Sequence, residues 1–224
     1  MTPSYRISTG ITAILIAAAV VLAISPAAAA ATTTVSPGDR IDYLSPTADT
    51  QFCTLGYVYT GTDRHTYAIT AGHCRTTAAG QARDKRTGLA GTFIRAIVDP
   101  PNIGGADYGL IDFGRRARPL SFIGNTPVAD SHPSPQPGQR ICHTGVSSGE
   151  HCGRIVAGHG NYQYLTTGIP PSVGGDSGGP VWIQDDDGYA HVIGIWLGEK
   201  TSAGGDRHGR FASLADGMRA LDVG

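Results

Sequence analysis

A serine hydroxyl acts as a nucleophile only when a base takes its proton and donors receive the negative charge its attack creates. The stretch Gly174-Gly175-Asp176-Ser177-Gly178-Gly179-Pro180 sets one serine inside a run of glycines. Glycine opens backbone conformations closed to other residues, so the run can fold as a tight turn whose amide N–H groups converge on one point. Gly175 and Ser177 are the expected donors of that oxyanion hole. The plain alternative is a glycine-rich turn carrying a solvated serine, and the context decides between them. Thr70-Ala71-Gly72-His73-Cys74 offers His73 as the base, and Ala106-Asp107-Tyr108-Gly109-Leu110-Ile111 offers Asp107 as the carboxylate that orients it. Asp99 and Asp112 compete for that role, and Asp107 is preferred because it stands where a loop enters a strand.

The elements that must hold these residues are strands. With 32 Gly, 14 Pro and 16% charged residues in 224, the chain reads as short strands joined by tight turns, an all-β sandwich or barrel. Strand patterns cover 40–44, 55–60, 65–70, 91–98, 108–113, 153–157, 162–167, 181–184 and 191–197. In the 91–98 run, Thr92, Ile94, Ala96 and Val98 are expected on one face and Phe93, Arg95 and Ile97 on the other. His73 would follow directly on the end of the 65–70 strand. The proline-rich stretch 115–139 reads as the connection between two halves. A helix is expected at about 212–222, with Leu214, Met218 and Leu221 on its apolar face.

Residues 1–31 have the build of a signal peptide: Arg6 at a positive start, an apolar core from Ile11 to Ile24, and small residues with a cleavage region at Ala29–Ala31. The apolar core is shorter than the roughly 20 residues of a spanning helix, which argues against a membrane anchor. Residues 32–224 are then expected to be an exported domain, extracellular or cell-wall associated, and free of the membrane once the signal is removed. The net charge of −1, with no basic run, argues against a nucleic-acid partner. Four cysteines in an exported chain allow two disulfides in three pairings, and proximity favours Cys53 with Cys74 and Cys142 with Cys152. A zinc reading of Cys142-His143 and His151-Cys152 matches no standard ligand spacing, and the acidic turn at 185–188 reads as a solvated hairpin tip ahead of a calcium loop.

In the order His, Asp, Ser, the three motifs resemble those of the chymotrypsin-like (trypsin-fold) serine proteases, and look closest to small bacterial secreted members such as the streptogrisins and α-lytic protease. The resemblance spans most of the chain beyond residue 31. It implies two antiparallel β-barrels, about 32–125 and 135–212, packed face to face with the site between them. It implies the same two disulfides, a monomer without cofactor or metal, and a protein or peptide substrate. Peptide hydrolysis would run through an acyl-enzyme on Ser177, with His73 as base and then acid and Asp107 fixing the His73 tautomer. The rivals are an exported binding protein that keeps the fold without turnover, and an esterase or amidase using the same triad.

The chain departs from the family at two places. Members that cut after Lys or Arg carry an aspartate six positions before the nucleophile, where this chain has Pro171. The opposite pocket wall comes from a strand equivalent to 194–198, and Trp196 is expected to add bulk there. Small or medium apolar side chains are therefore expected at the cleaved residue. Asp176, beside the nucleophile, needs a partner, and bacterial relatives supply an arginine just after the first cysteine of the second-half disulfide. His143 holds that position here. It is expected to support the oxyanion loop by an ionic or hydrogen-bonded contact with Asp176, the alternative being that backbone amides or another cation satisfy that carboxylate.

Overall fold

The computed structural model describes Met1 and residues 32–44, 51–76 and 80–223. The apolar core and cleavage region of the expected signal lie outside these residues. One compact unit, Ala31–Gly224, carries all of the elements below.

Short strands β1 (Thr33–Val35), β2 (Arg40–Leu44), β3 (Gln51–Thr54), β4 (Tyr57–Thr60) and β5 (Thr66–Thr70) open the first half. A 3₁₀ turn, Gly72–Cys74, follows β5 and carries His73. β6 (Gln81–Asp84), β7 (Ala90–Val98) and β8 (Asp107–Asp112) complete the sheet. The connecting stretch holds β9 (Ala117–Pro119), which runs parallel to β1, and a small hairpin of β10 (Phe122–Ile123) and β11 (Thr126–Pro127). The second half contains β12 (Arg140–Gly145), β13 (Gly149–His159), β14 (Gln163–Thr167), β15 (Pro180–Gln184), β16 (Ala190–Thr201) and β17 (Arg207–Ser213), followed by helix α1 (Leu214–Ala220).

The second half closes into a six-stranded barrel in the order β12-β13-β14-β17-β16-β15. The first is a seven-stranded sheet in the order β3-β2-β6-β7-β8-β5-β4, curled but open between β3 and β4. The edge stays open because its backbone groups are used elsewhere: the Thr54 amide donates to Ser177 O at 2.8 Å, and the Leu55 amide to Asp39 O at 2.9 Å. One end of β3 is thus tied to the Ser177 stretch of the other half.

Burial follows the sequence pattern where a strand has one wet face, and departs from it at β7. The register slips between Phe93 and Arg95, so alternation fails there. Phe93 is buried under Tyr43, and Thr92, Ile94 and Val98 are exposed on the other face, as expected, but Arg95, expected on the face of Phe93, is exposed. Arg95 reaches out to donate to Leu221 O. An extra residue in a bulge turns the side chains that follow it, which a strict two-residue period cannot foresee. α1 begins two residues later than expected because Ala212 and Ser213 still pair with β16, and the Ser213 hydroxyl then caps the helix by accepting from Asp216 N.

A main core joins both halves, running from Ile41, Leu55 and Ile69 through Tyr108 and Ile111 to Ile195, Leu197 and Leu214. A second cluster of Ile141, Ile155, Val181, Ile193, Trp196 and Phe211 fills the closed barrel.

Cys53 is joined to Cys74 and Cys142 to Cys152. The first bond staples the His73 turn to β3. The second crosslinks residues directly opposite in the β12–β13 ladder, so its sulfurs are not available as metal ligands. Asp185, in the acidic turn, accepts from the amides of Asp187 and Tyr189 and faces His191 Nε2 at 2.8 Å, which makes it the organiser of a hairpin tip. Each disulfide closes a short loop, and loop-closure entropy values each at about 3 kcal/mol. Replacing both cysteines of either pair by alanine should lower the unfolding free energy by roughly that amount in urea titration. A loss below about 0.5 kcal/mol for either pair would contradict this.

Candidate active site

The site is built where two loops meet across the halves. His73 is delivered by the turn after β5, and its ring is fixed from behind: Nδ1 lies 2.7 Å from Asp107 Oδ2 while the His73 amide donates to Asp107 Oδ1 at 3.0 Å. Both carboxylate oxygens are thereby used on one residue. Asp107 is 8% exposed and stands at the first position of β8, next to β5 in the sheet. The competing aspartates are engaged elsewhere. Asp99 accepts from the Ala106 amide at 2.8 Å, and Asp112 faces His65 Nδ1 at 3.0 Å.

Ser177 sits in a turn that the second half presses onto β3 and the His73 segment. Besides the Thr54–Ser177 backbone bond, Cys74 Sγ lies 3.9 Å from Ser177 O. Gly178, at φ 86°, passes so close to Thr70 and Ala71 that a Cβ there would collide with both. The turn is held to its own barrel by Gly178 N donating to Trp196 O at 2.7 Å and Trp196 N to Gly179 O at 2.9 Å. The amides of Gly175 and Ser177 make no hydrogen bond to other described residues, unlike those of Asp176, Gly178 and Gly179. Beside them opens a cleft of about 380 Å³ lined by Gln51, Phe52, Cys53, Gly174, Gly175 and Ser177.

Asp176 is fully buried, and its carboxylate is satisfied by backbone amides: Oδ1 accepts from Ser147 and Ser148 at 3.0 Å each, Oδ2 from Val173 at 3.1 Å. This corrects the expectation of an ionic partner in His143. Burial pushes the His143 imidazole down to about 4, against the opposing pull of the Asp176 charge and a hydrogen bond with the Pro180 backbone. The ring is neutral at ordinary pH and lies flat on Trp196, with centroids 4.2 Å apart and planes 13° from parallel. Its Nδ1 is buried without a hydrogen-bond partner. The arginine analogy fails because His143 is buried against Trp196, and desolvation there outweighs the pull of the Asp176 charge.

The expected pocket residues separate. Pro171 is exposed, whereas Trp196 is fully buried in the barrel core and sends its indole N–H to Ser172 Oγ at 3.1 Å. Glu199, farther along β16, accepts from the Ser172 amide at 3.0 Å and pairs with Arg207 at 2.7 Å. The segment leading to Ser177 is thus tied to β16 by Trp196 and Glu199 together. Thr54, Ser147 and the Glu199–Arg207 pair were not expected from sequence. A hydroxyl or carboxylate acting on a backbone group across the fold leaves no local pattern.

Because folded His143 holds a proton less tightly than an unfolded histidine at about 6.5, the unfolded state binds the extra proton between that value and about 4. The stability contributed by neutral His143 is complete above about pH 6.5 and is lost as pH falls toward 4, by roughly 3 kcal/mol in all. His143→Phe keeps a flat ring on Trp196, so its Tm should fall less than the parent's between about pH 7 and 4.5. Equal pH slopes would contradict this account of His143.

No family model matches the chain. The uncharacterized protein Rv1815 of Mycobacterium tuberculosis is 35% identical over 158 residues, spanning 66% of this chain and 68% of that protein. Its counterpart in a second strain, MT1863, is 34% identical over the same length. Among solved structures, Thermobifida fusca protease A superposes at a TM-score of 0.64 with 19% identity, covering 85% of this chain and 97% of that one. A glutamic acid-specific serine protease that binds substrate through a histidine triad gives 0.62, 21%, 84% and 98% in the same terms, and Cellulomonas bogoriensis chymotrypsin 0.59, 23%, 84% and 96%. The chain therefore belongs to one family with Rv1815 of Mycobacterium tuberculosis, on the fold of the bacterial chymotrypsin-like serine proteases.

Proposed function

We propose that the chain is an exported serine endopeptidase that hydrolyses peptide bonds through an acyl-enzyme on Ser177. The observation that carries this reading is the pair of bonds from His73 to Asp107, made on the turn against which the Ser177 loop is pressed. With Nδ1–H committed to Asp107 at 2.7 Å, the neutral tautomer leaves Nε2 as the acceptor, which is the atom a general base needs. Nε2 takes the Ser177 proton as Oγ adds to the scissile carbonyl, and the Gly175 and Ser177 amides receive the oxyanion. The imidazolium then protonates the leaving amine, and a water molecule repeats the cycle on the acyl group. Asp107 stabilises the transient imidazolium. Protein or peptide substrates agree with the neighbours' activity, and two disulfides agree with an oxidising compartment. No helix among the described residues is long and apolar enough to cross a membrane. Residues 1–31 remain the proposed signal.

The second reading is a binding protein that keeps this fold without turnover; Trp196 lies in the barrel core and is not among the residues that line the cleft beside Ser177. Kinetics separate the two. Ser177→Ala should lower kcat on peptide substrates by about 10⁴ to 10⁶ with the Tm unchanged, and Asp107→Asn by about 10⁴ through the wrong His73 tautomer. Parental protein that binds peptides without cleaving them would favour the second reading, and Ser177→Ala within tenfold of an active parent would mean that Ser177 is not the nucleophile.

Specificity follows from the same segment. Pro171 carries no charge to meet a basic side chain, and the Glu199 carboxylate is already engaged by Ser172 and Arg207. A peptide-library profile should show small or medium apolar residues at the cleaved position. Cleavage mainly after Lys or Arg would mean that Glu199 leaves Arg207 to meet the substrate.

A further inference from the structure

The oxyanion donor at Gly175 is only as well aimed as the peptide plane that carries it. In a trans peptide the C=O and N–H point in opposite directions, so whatever holds Gly174 O aims Gly175 N–H. Both residues of that peptide are glycine, and little in the chain itself resists a flip of the plane. A flipped plane would present a carbonyl oxygen where the negative charge of the reaction develops.

Gly174 O accepts from Ser147 Oγ at 2.7 Å. On the other side of Gly175, the next plane is held the same way: Gly175 O accepts from Thr54 Oγ1 at 2.8 Å, and that hydroxyl accepts in turn from the Val146 amide at 3.1 Å. Gly175 sits between these two clamps at φ 101°, a conformation that favours glycine. Phe52 and Ser147 Oγ close around it so tightly that a Cβ would meet both. The turn between β12 and β13 supplies the clamp and also gives the Ser147 and Ser148 amides to Asp176. One residue, Ser147, is therefore bonded to the Ser177 loop by both its hydroxyl and its backbone amide.

We propose that Ser147 is a positioning residue for the oxyanion hole: its hydroxyl holds the Gly174–Gly175 peptide in the orientation that presents Gly175 N–H to the reacting carbonyl. This rests on the reading of Ser177 as the acyl-forming nucleophile. Ser147 is exposed, so its replacement leaves the core untouched. Losing an oxyanion donor outright costs about 10² to 10³ in kcat, and a donor left in place but no longer aimed costs less.

The test compares Ser147→Ala with Ser147→Thr on a peptide p-nitroanilide cleaved by the parent. The alanine variant should lose roughly tenfold to hundredfold in kcat with KM within about twofold. Its affinity for a peptidyl trifluoromethyl ketone, which places an oxyanion in the hole, should fall in parallel, and threonine should restore both. Parental kcat and ketone affinity in the alanine variant would overturn the proposal, as would failure of threonine to restore them. A parent that cleaves no peptide would instead defeat the reading of Ser177. In that case the ¹H–¹⁵N resonance of Gly175 still judges Ser147: it should shift or broaden in the alanine variant and return with threonine, and an unmoved resonance overturns the proposal.

Discussion

The buried carboxylate of Asp176 is the constraint that shapes the site. A carboxylate with no solvent access is strongly unfavourable unless charge or donors compensate it, and here the compensation is three backbone amides from two segments. Those amides bring the β12–β13 turn onto the loop that precedes Ser177. Gly145 is required at the end of β12, since a Cβ there would occupy the place of the Asp176 carboxylate. The Cys142–Cys152 crosslink lies in the same hairpin, so the elements that satisfy one charge also determine the backbone around Ser177.

The first half answers with an edge rather than a closed barrel. The last residue of β3, Thr54, gives its amide to Ser177 O, its hydroxyl to Gly175 O, and takes the Thr70 hydroxyl on its own carbonyl at 2.8 Å. A closed sheet would spend that edge on a neighbouring strand. Leaving it open lets the two halves register against each other through hydrogen bonds, while the shared core from Leu55 to Ile195 supplies the burial that holds them together. The His73 turn is fastened to the same strand by Cys53–Cys74, so His73 and the Ser177 loop are referenced to one element.

Much of this was legible from local signals. His73, Asp107 and Ser177 stand in short motifs at or near strand ends, and the proposed chemistry calls for these residue types. The disulfide pairs followed from proximity and the strands from apolar periodicity. The β7 bulge was not legible, because one inserted residue turns Arg95 away from the face of Phe93 without altering composition. His143 was misread for a related reason: its sequence position suggests a charge partner, but burial, which only the fold reveals, lowers its proton affinity, and its ring stacks on Trp196, 53 residues away in the chain. Thr54 and Ser147 are ordinary residues in sequence, and only the fold reveals that their hydroxyls end on Gly175 and Gly174.

The central claim is that His73, Asp107 and the Ser177 loop form one assembled nucleophilic site. The most direct measurement is treatment of the folded protein with a fluorophosphonate, followed by peptide mass spectrometry to locate the adduct. The account predicts a single adduct on Ser177 in the parent and none on the same peptide after urea unfolding. No adduct on the folded protein, or an adduct on another serine with Ser177 unmodified, would contradict it.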